Sequence, residues 1–393
     1  MKKFDLREVN RFVLHKQHLT DDSKSDDIIQ IVEDIGGLHA TSATTPYLSL
    51  LSRSANFTKD DLNRELYAKK TMGKIRCVRK TVYILTKNMI PAAYSATMKM
   101  SEINSERFMS YVGVSKEEYE TASKKILKIL AGKGLTTKEI KSELQTGVNV
   151  SSIVNLMCDQ GLLVRGAPRA GRKSNIHTYY LFKEHFPDIY LDAMDEDDAK
   201  RMLVEQYLAS FGPVTEGDIA WWTGLPKTGI KQALGNLKDK LISIDISGLG
   251  ADYRLLSADE EPLRAGLPPS PKPDVSLLPF LDPYIMGYKE RDRYLDYAYY
   301  DRIFDRSGNA VSTIILDGKI IGVWDFAEAD REPLVKLFLF DSVSSDVLDE
   351  INLHAQKTGE FIAGKRVQVK KCGSMVPLSK RTAGGFMSPL RES

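Results

Sequence analysis

The sequence has few of the residues that define disulfide-rich, zinc-binding or membrane proteins. It contains 3 cysteines and 6 histidines in 393 residues. Cys77, Cys158 and Cys372 are far apart and form no C-x-x-C pair or Cys/His cluster, which argues against a zinc finger and a disulfide framework. No uncharged run is long enough to span a membrane, and the charged N-terminus lacks the apolar segment of a signal peptide. These absences predict a soluble protein of the reducing cytoplasm.

An excess of charge of one sign is also missing. The chain has 55 lysines and arginines against 53 aspartates and glutamates, a net charge of +2. A near-neutral total excludes neither nucleic acids nor small molecules, because a local basic patch can coexist with it. The position of the charges is therefore more informative than their sum.

What the sequence does contain is a repeated order of short helices followed by β-type segments. The first copy ends in "KIRCVRKTVYILT", which alternates like a strand. The second runs from "SKEEYETASKKILKIL" through "SSIVNLMCDQG" to "LLVRG" and "IHTYYLF", and the third from "LVEQYLASFGPVTEGDIAWWTG" to "LISIDI". Helix, turn, helix and β-hairpin is the order of a winged helix-turn-helix unit. Three copies in succession indicate a tandem array.

The composition changes at the proline-rich "EEPLRAGLPPSPKPD". Beyond it come short β-type runs, a hairpin signal in "LDGK", and one helix, "VSSDVLDEINLHAQKTG". The predicted fold class is therefore α+β, with three tandem winged helix-turn-helix units followed by a C-terminal β-rich, barrel-like domain. The predicted boundaries are residues 1–112, 113–187, 188–258 and 259–393.

Two basic segments are candidate DNA contacts, one in the strand-like segment of the first unit and one in the polar loop of the second. Cations on a protruding loop release counterions from DNA, and small polar groups fix the register on the backbone. A solvated loop and paired surface charges are the simpler interpretation. The candidate DNA-binding residues are Arg79, Lys80, Arg165, Arg169, Arg172, Lys173 and His177.

The stretch "DIGGLHATSATTPYLSLL" contains a polar pair, His39 and Thr41, directly after a paired glycine. If the segment is extended, both side chains leave the same face. Locally they could be a catalytic pair, a binding pair or two polar residues at a helix end. The adjacent Trp221 and Trp222 pose a similar choice, because at most one of them can face the core; the other could pack between units or stack on a base.

Several blocks, in order and over nearly the whole chain, resemble the YcaQ/AlkZ-like winged-helix DNA glycosylases. "LREVNRFVLHKQHL" is similar to the opening helix of that family. "IGGLHAT" takes the place of its Gly-Leu-Gln-Ala-Gln segment, and "RCVRKTVYIL" that of its Arg-Gly-Thr-Leu-His block. "LVEQYLASFGPVTEGDIAWWTGL", "LLPFLDPYIMGYKERDR" and "LDGKIIGVWDF" are similar to its third unit and C-terminal domain. The resemblance implies a concave DNA-binding surface.

The resemblance also implies a chemistry. Such enzymes cut the N-glycosidic bond of N-alkylated purines and unhook interstrand crosslinks, without a metal or other cofactor. Alkylation already activates the leaving base, so the protein has to position a water and stabilise positive charge at the sugar. The family uses a Gln-x-Gln or Gln-x-Asp pair. The matching residues here are His39 and Thr41, which we predict as catalytic, and Tyr83 replaces the motif histidine.

Three functions remain compatible with the sequence. The first is a monofunctional glycosylase for alkylated or crosslinked double-stranded DNA. The second is a non-catalytic winged-helix DNA-binding protein, a lesion sensor or transcription regulator, in which the replaced pair marks lost chemistry. The third is a small-molecule-responsive repressor that dimerises on a palindrome. We expect a cytoplasmic, nucleoid-associated monomer with no membrane partner.

Overall fold

A computed structural model describes residues 2–169, 176–191, 193–250, 252–268, 270–328, 332–378 and 390–391. It shows a mixed α/β protein in which helices alternate with several small sheets. Within these ranges, no helix combines the length and the apolar character that crossing a membrane requires.

The first region alternates short helices with short strands. Its elements are β1 (Lys2–Phe4), α1 (Leu6–Lys16), α2 (Ile28–Asp34), β2 (Leu38–His39), α3 (Thr45–Leu51), α4 (Lys59–Asn63), β3 (Met72–Arg76) and β4 (Val82–Thr86). For "KIRCVRKTVYILT" the expected alternatives are a strand and a hairpin, and the structure shows the hairpin. The chain reverses there, and β3 and β4 form an antiparallel hairpin in which Ile75 lies opposite Tyr83.

The next two regions each contain helices followed by a hairpin, as the periodicity predicts. The second comprises α5 (Ile90–Tyr111), α6 (Lys116–Ile129), β5 (Leu135–Thr136), α7 (Thr137–Leu144), α8 (Val150–Asp159), β6 (Leu163–Pro168), β7 (His177–Leu181) and α9 (Phe182–His185). The third comprises α10 (Glu196–Phe211), α11 (Glu216–Thr223), α12 (Lys227–Asn236), β8 (Leu241–Ile246) and β9 (Tyr253–Leu256). Thr136 and Thr215 start their helices with capping boxes, which satisfy N–H groups at the first turn.

The C-terminal region is a sheet covered by a helix. It consists of α13 (Glu260–Ala265), β10 (Val275–Leu278), α14 (Tyr300–Ile303), β11 (Thr313–Leu316), β12 (Lys319–Ala327), β13 (Leu334–Leu339), α15 (Ser345–Ala363), β14 (Gln368–Lys371), β15 (Ser374–Met375) and β16 (Leu390–Arg391). The sheet order is β10-β11-β12-β13-β14. The barrel-like prediction is wrong: β10 and β14 do not pair, so this sheet stays open among the described residues. The crossover through α15 makes β14 parallel to β13 and places a helix on one face.

Sheets also connect the regions. The hairpin of the first region and the strands of the second form one six-stranded sheet in the order β2-β4-β3-β6-β7-β5, in which Lys74 on β3 lies opposite Arg165 on β6. The N-terminal β1 runs parallel to β8 in the third region, with Lys2 opposite Ile244. The predicted domain boundaries stay a prediction, since hydrogen-bonded sheets cross them.

Three hydrophobic clusters fill the interior. One joins α1 and the first hairpin to the third region, a second joins α2 and α3 to the C-terminal sheet, and a third lies within the second region. Consecutive residues of β4 pack into different clusters: Tyr83 belongs to the cluster with α1, and Ile84 to the cluster with α2 and α3. The hairpin is therefore packed on both faces, and β2, which carries His39, pairs with its second strand.

Candidate functional site

His39 is placed by the paired glycine that precedes it. Gly36 and Gly37 have φ values of +71° and +98°, which end α2 and turn the chain into β2. A Cβ on Gly37 would lie 2.6 Å from Leu85 Cδ2, so only glycine allows this close approach to β4. β2 then pairs antiparallel with β4, and His39 lies opposite Tyr83.

The imidazole of His39 is buried, with 4% of the residue exposed. Its Nδ1 accepts a hydrogen bond from the backbone N–H of Thr41, at 3.4 Å, and its ring lies 5.3 Å from that of Tyr83. Burial first, and the positive charge of Arg79 second, lower the pKa of His39 to about 4. The ring is therefore neutral at physiological pH, and because Nδ1 accepts, the proton lies on Nε2.

Thr41 has a different environment. β2 ends at His39, residues 41–44 form a series of bends, and Thr41 is exposed. The extended pairing expected for the two side chains is therefore replaced by a contact between the imidazole and the Thr41 backbone. Thr41 is therefore an exposed hydroxyl residue next to His39, whose Nε2–H is a hydrogen-bond donor.

The turn that joins β3 and β4 contains two of the predicted DNA-binding residues. Arg79 and Lys80 both have left-handed backbones, with φ values of 51° and 60°. The N–H of Thr81 donates to the carbonyl of Val78 at 3.0 Å, which closes a tight hairpin turn. The guanidinium carbon of Arg79 lies 3.9 Å from the ring centroid of Trp221 on α11. The structure thus brings Arg79 to His39 and to the third region.

The other predicted contacts do not all face outward. Arg165 donates to Asn155 Oδ1 at 2.8 Å, which fixes it against α8. Arg169 is exposed and pairs with Glu139 at 3.2 Å. Burial, Lys74 and Arg165 together lower the pKa of His177 to about 4. Arg172 and Lys173 lie outside the described residues.

The adjacent tryptophans divide as expected. Trp222 is buried in the core and packs against Tyr207 and Phe211. Trp221 is partly buried, and Arg291 approaches the indole ring as well, at 5.4 Å. Sequence reasoning missed Arg291, because nothing in "GYKERDR" distinguishes a stacked arginine from a solvated one.

Metal-binding side chains do not cluster in the part of the chain that the structure describes. No three His, Cys, Asp or Glu residues come together there as candidate ligands. The expectation of a reaction without a cofactor stays a prediction.

Comparison with known proteins defines the class to which this chain belongs. The model of a family described as DNA glycosylase AlkZ-like matches residues 32–361, which is most of the chain. The protein is therefore a member of the AlkZ-like DNA glycosylase family, a family of DNA-binding repair proteins, as the sequence blocks indicated. No curated protein matches the sequence at a significant level.

Among solved structures, the fold is similar to that of the DNA glycosylase AlkZ of Streptomyces sahachiroi. The two share 20% sequence identity with a TM-score of 0.76, and the match covers 94% of this chain and 100% of the other. At that identity the likeness concerns the fold, and it extends across all four regions described above.

Proposed function

We propose that this protein hydrolyses the N-glycosidic bond of N-alkylated purines in double-stranded DNA, including crosslinked purines, as a monomeric, metal-independent and monofunctional glycosylase. One observation carries the proposal. His39 and Thr41 stand at the end of β2, in the block that corresponds to the family's polar pair, and their local contact fixes the tautomer of the histidine.

The chemistry follows from that tautomer. Nε2–H of His39 donates to the oxygen of the attacking water, and the Thr41 hydroxyl accepts from or donates to the same water. The water oxygen forms a bond to C1′ while the C1′–N bond breaks, and the bonding electrons neutralise the positive charge of the alkylated base. A proton of the water passes to solvent. With a pKa of about 4, His39 orients the water and does not act as a strong general base.

The helices and hairpins of the first three regions support binding to the DNA duplex. We propose that the three sets of helices and hairpins act as tandem winged helices bounded near residues 112, 187 and 258. Arg79, Lys80 and Arg169 would contact phosphates directly. We propose the remaining members of the predicted set as further contacts of the same DNA, namely Arg165, Arg172, Lys173 and His177.

The test is release of free base from a duplex that carries N7-methylguanine. We expect His39→Ala to reduce single-turnover release roughly 100-fold, because an orienting donor is lost. His39→Gln, which keeps an N–H donor, should retain much more activity. Thr41→Val should also be impaired, and Thr44→Val, an exposed threonine of the same bends, is the matched control. Absence of release by the wild type, with duplex binding intact, contradicts the proposal.

A second candidate function is a non-catalytic lesion sensor. The burial and low basicity of His39 favour it, because a buried neutral imidazole is also a stable structural feature. This candidate requires tighter binding to alkylated than to undamaged duplex, with no release of base. Equal affinity for both duplexes argues against it.

A further inference from the structure

Arg79 is a cation without a compensating partner. No hydrogen bond or ion pair of its guanidinium occurs among the described residues, although the side chain is only partly exposed. Burial, with the positive charge of Arg291, lowers its pKa, and no carboxylate of the described chain opposes that shift. Arg53 and Arg76, by contrast, bind Asp282 and Asp159. The N–H donors of Arg79 are therefore not committed to any described residue, and a ligand can accept from them.

The side chain is nevertheless held in place. Its guanidinium stacks on Trp221, and its backbone is left-handed, with φ 51° and ψ 24°. Such a backbone costs about 1 kcal/mol or more in a residue other than glycine, and persists where the surrounding structure fixes it. The end of α11 lies next to this turn, because a Cβ built on Gly224 would be 3.7 Å from the Arg79 backbone.

A second guanidinium lies behind the first. Arg291 is buried, and its guanidinium carbon is 5.4 Å from the Trp221 ring and 3.4 Å from the Phe304 ring. It donates to Tyr300 Oη and to the carbonyl of Gly308. Two positive charges therefore flank one indole, and no acidic side chain of the described residues forms a salt bridge with either. Together they make this surface attractive to an anion.

We propose that Arg79, presented by Trp221, binds a single DNA backbone phosphate next to the nucleotide whose base is released. A fixed guanidinium fork matches two phosphate oxygens, and partial burial strengthens the contact. The turn that carries Arg79 leads into β4, where the carbonyl of Val82 accepts from the N–H of Ala40 at 2.7 Å and Tyr83 lies opposite His39, so the phosphate would lie beside the candidate water site. Trp221 and Arg291 are positioning residues. The location of the target nucleotide rests on the function proposed above.

The test is a scan of single methylphosphonates, each of which removes the charge of one phosphate. The probe is a duplex with a tetrahydrofuran abasic analogue in place of the target nucleotide, which binds without turnover. We expect one methylphosphonate beside the analogue to weaken binding by the wild type roughly tenfold or more, and distant ones to have little effect. In Arg79→Gln, that same position should lose its effect.

The control variant is Lys87→Gln, which removes a cation just after β4 that pairs with Asp188, and it should keep the position-specific effect of the wild type. Trp221→Leu should reduce the effect while leaving the arginine in the chain. A flat methylphosphonate profile for the wild type overturns the proposal without any variant, and so does an unchanged profile in Arg79→Gln. The scan measures binding alone, so it can confirm the phosphate site even if the protein releases no base. Conversely, the protein can release base while the methylphosphonate profile is flat, and in that case only the phosphate site is refuted.

Discussion

The α3 segment and the turn of the first hairpin each carry an arginine, and the two arginines differ in whether a carboxylate neutralises them. On one side, α3 follows the motif, and Arg53 at its end forms two 2.8 Å hydrogen bonds with Asp282 in the C-terminal region. Both side chains are fully buried, and Ser49 donates to the same carboxylate. On the other side, the turn of the first hairpin presents Arg79, which has an aromatic neighbour and no acidic partner among the described residues.

This difference distinguishes α3, which has a structural role, from the hairpin turn, which we propose binds DNA. The α3 segment satisfies its charges internally, and the hydroxyls of Thr45 and Ser52 donate to the carbonyls of Phe280 and Leu277. The charge of Arg53 is thereby neutralised within the protein. The hairpin turn uses a strained backbone and a stacked indole to hold a charge that the protein does not neutralise. A rigid support whose arginine is paired with a carboxylate, beside an arginine without such a partner among the described residues, suits recognition of a phosphate.

The largest expected loss of stability comes from breaking the ion pair between Arg53 and Asp282. Arg53→Met leaves the Asp282 carboxylate buried without its partner, which should reduce the free energy of unfolding by about 3–5 kcal/mol. Urea denaturation of the variant measures it. The double variant Arg53→Met with Asp282→Leu removes both charges, and it should recover a large part of the loss. A single-variant loss below about 1 kcal/mol would mean that the pair is not buried as described.

An intermediate effect is expected from the pH dependence of stability. The pKa of His39 is about 4 in the folded protein and near 6.5 when unfolded. Between these values the unfolded state binds more protons, so stability is complete above pH 6.5 and falls as the pH drops towards 4. His39 contributes up to about 3 kcal/mol to this loss.

Thermal melts of the wild type and of His39→Gln across that window measure the contribution. The variant should show a shallower slope. Some slope will remain, because burial also lowers the pKa values of His177 and His185 to about 4. Identical slopes for the two proteins would show that His39 is accessible to protons in the folded state.

A smaller loss of stability is expected from changes at Arg79 and Trp221. Trp221→Leu removes the stacking of Arg79, which should cost roughly 0.5–2 kcal/mol of stability. Arg79→Gln should change stability still less, since it also relieves repulsion from Arg291. Chemical denaturation of both variants, beside Arg53→Met, compares the two segments directly. A loss from Arg79→Gln as large as that from Arg53→Met would remove the distinction between them.

The smallest stability effect is expected at the second wing. Arg169 makes an exposed ion pair with Glu139, and Arg169→Gln should change stability by less than about 1 kcal/mol. If Arg169 also contacts a phosphate, the slope of log affinity against log salt should decrease in magnitude by about 0.9. Binding titrations at several salt concentrations test this, and an unchanged slope would leave Arg169 outside the interface.

Much of the helical framework could be predicted from the sequence, because several helices carry local start and stop signals. α2 begins where Asp27 caps the N–H groups of Ile29 and Gln30, and it ends at the paired glycine. The hairpin at Asp317 and Gly318 was also predictable from its turn residues. The turn at Arg79 and Lys80 was not, because arginine and lysine rarely adopt the left-handed backbone that this turn uses.

The candidate site could be predicted only in part for a related reason. The position of His39 follows from its sequence block, but its tautomer depends on an N–H contributed by Thr41 after the strand has ended. The open C-terminal sheet depends on a crossover between β13 and β14, and alternation in the separate strands does not specify such long-range pairing. The stack of Arg79, Trp221 and Arg291 joins three distant segments, and no local pattern encodes it.

The pairing of β1 with β8 has a consequence for how the protein is made. The partner of Lys2 is Ile244, so β1 leaves the ribosome well before β8 and cannot form this pairing until the third region has been synthesised. At 5–20 residues per second, that wait is of the order of tens of seconds. During it, β1 is an unpaired strand with open hydrogen-bonding groups, and its two lysines are the kind of residue that discourages pairing with another chain.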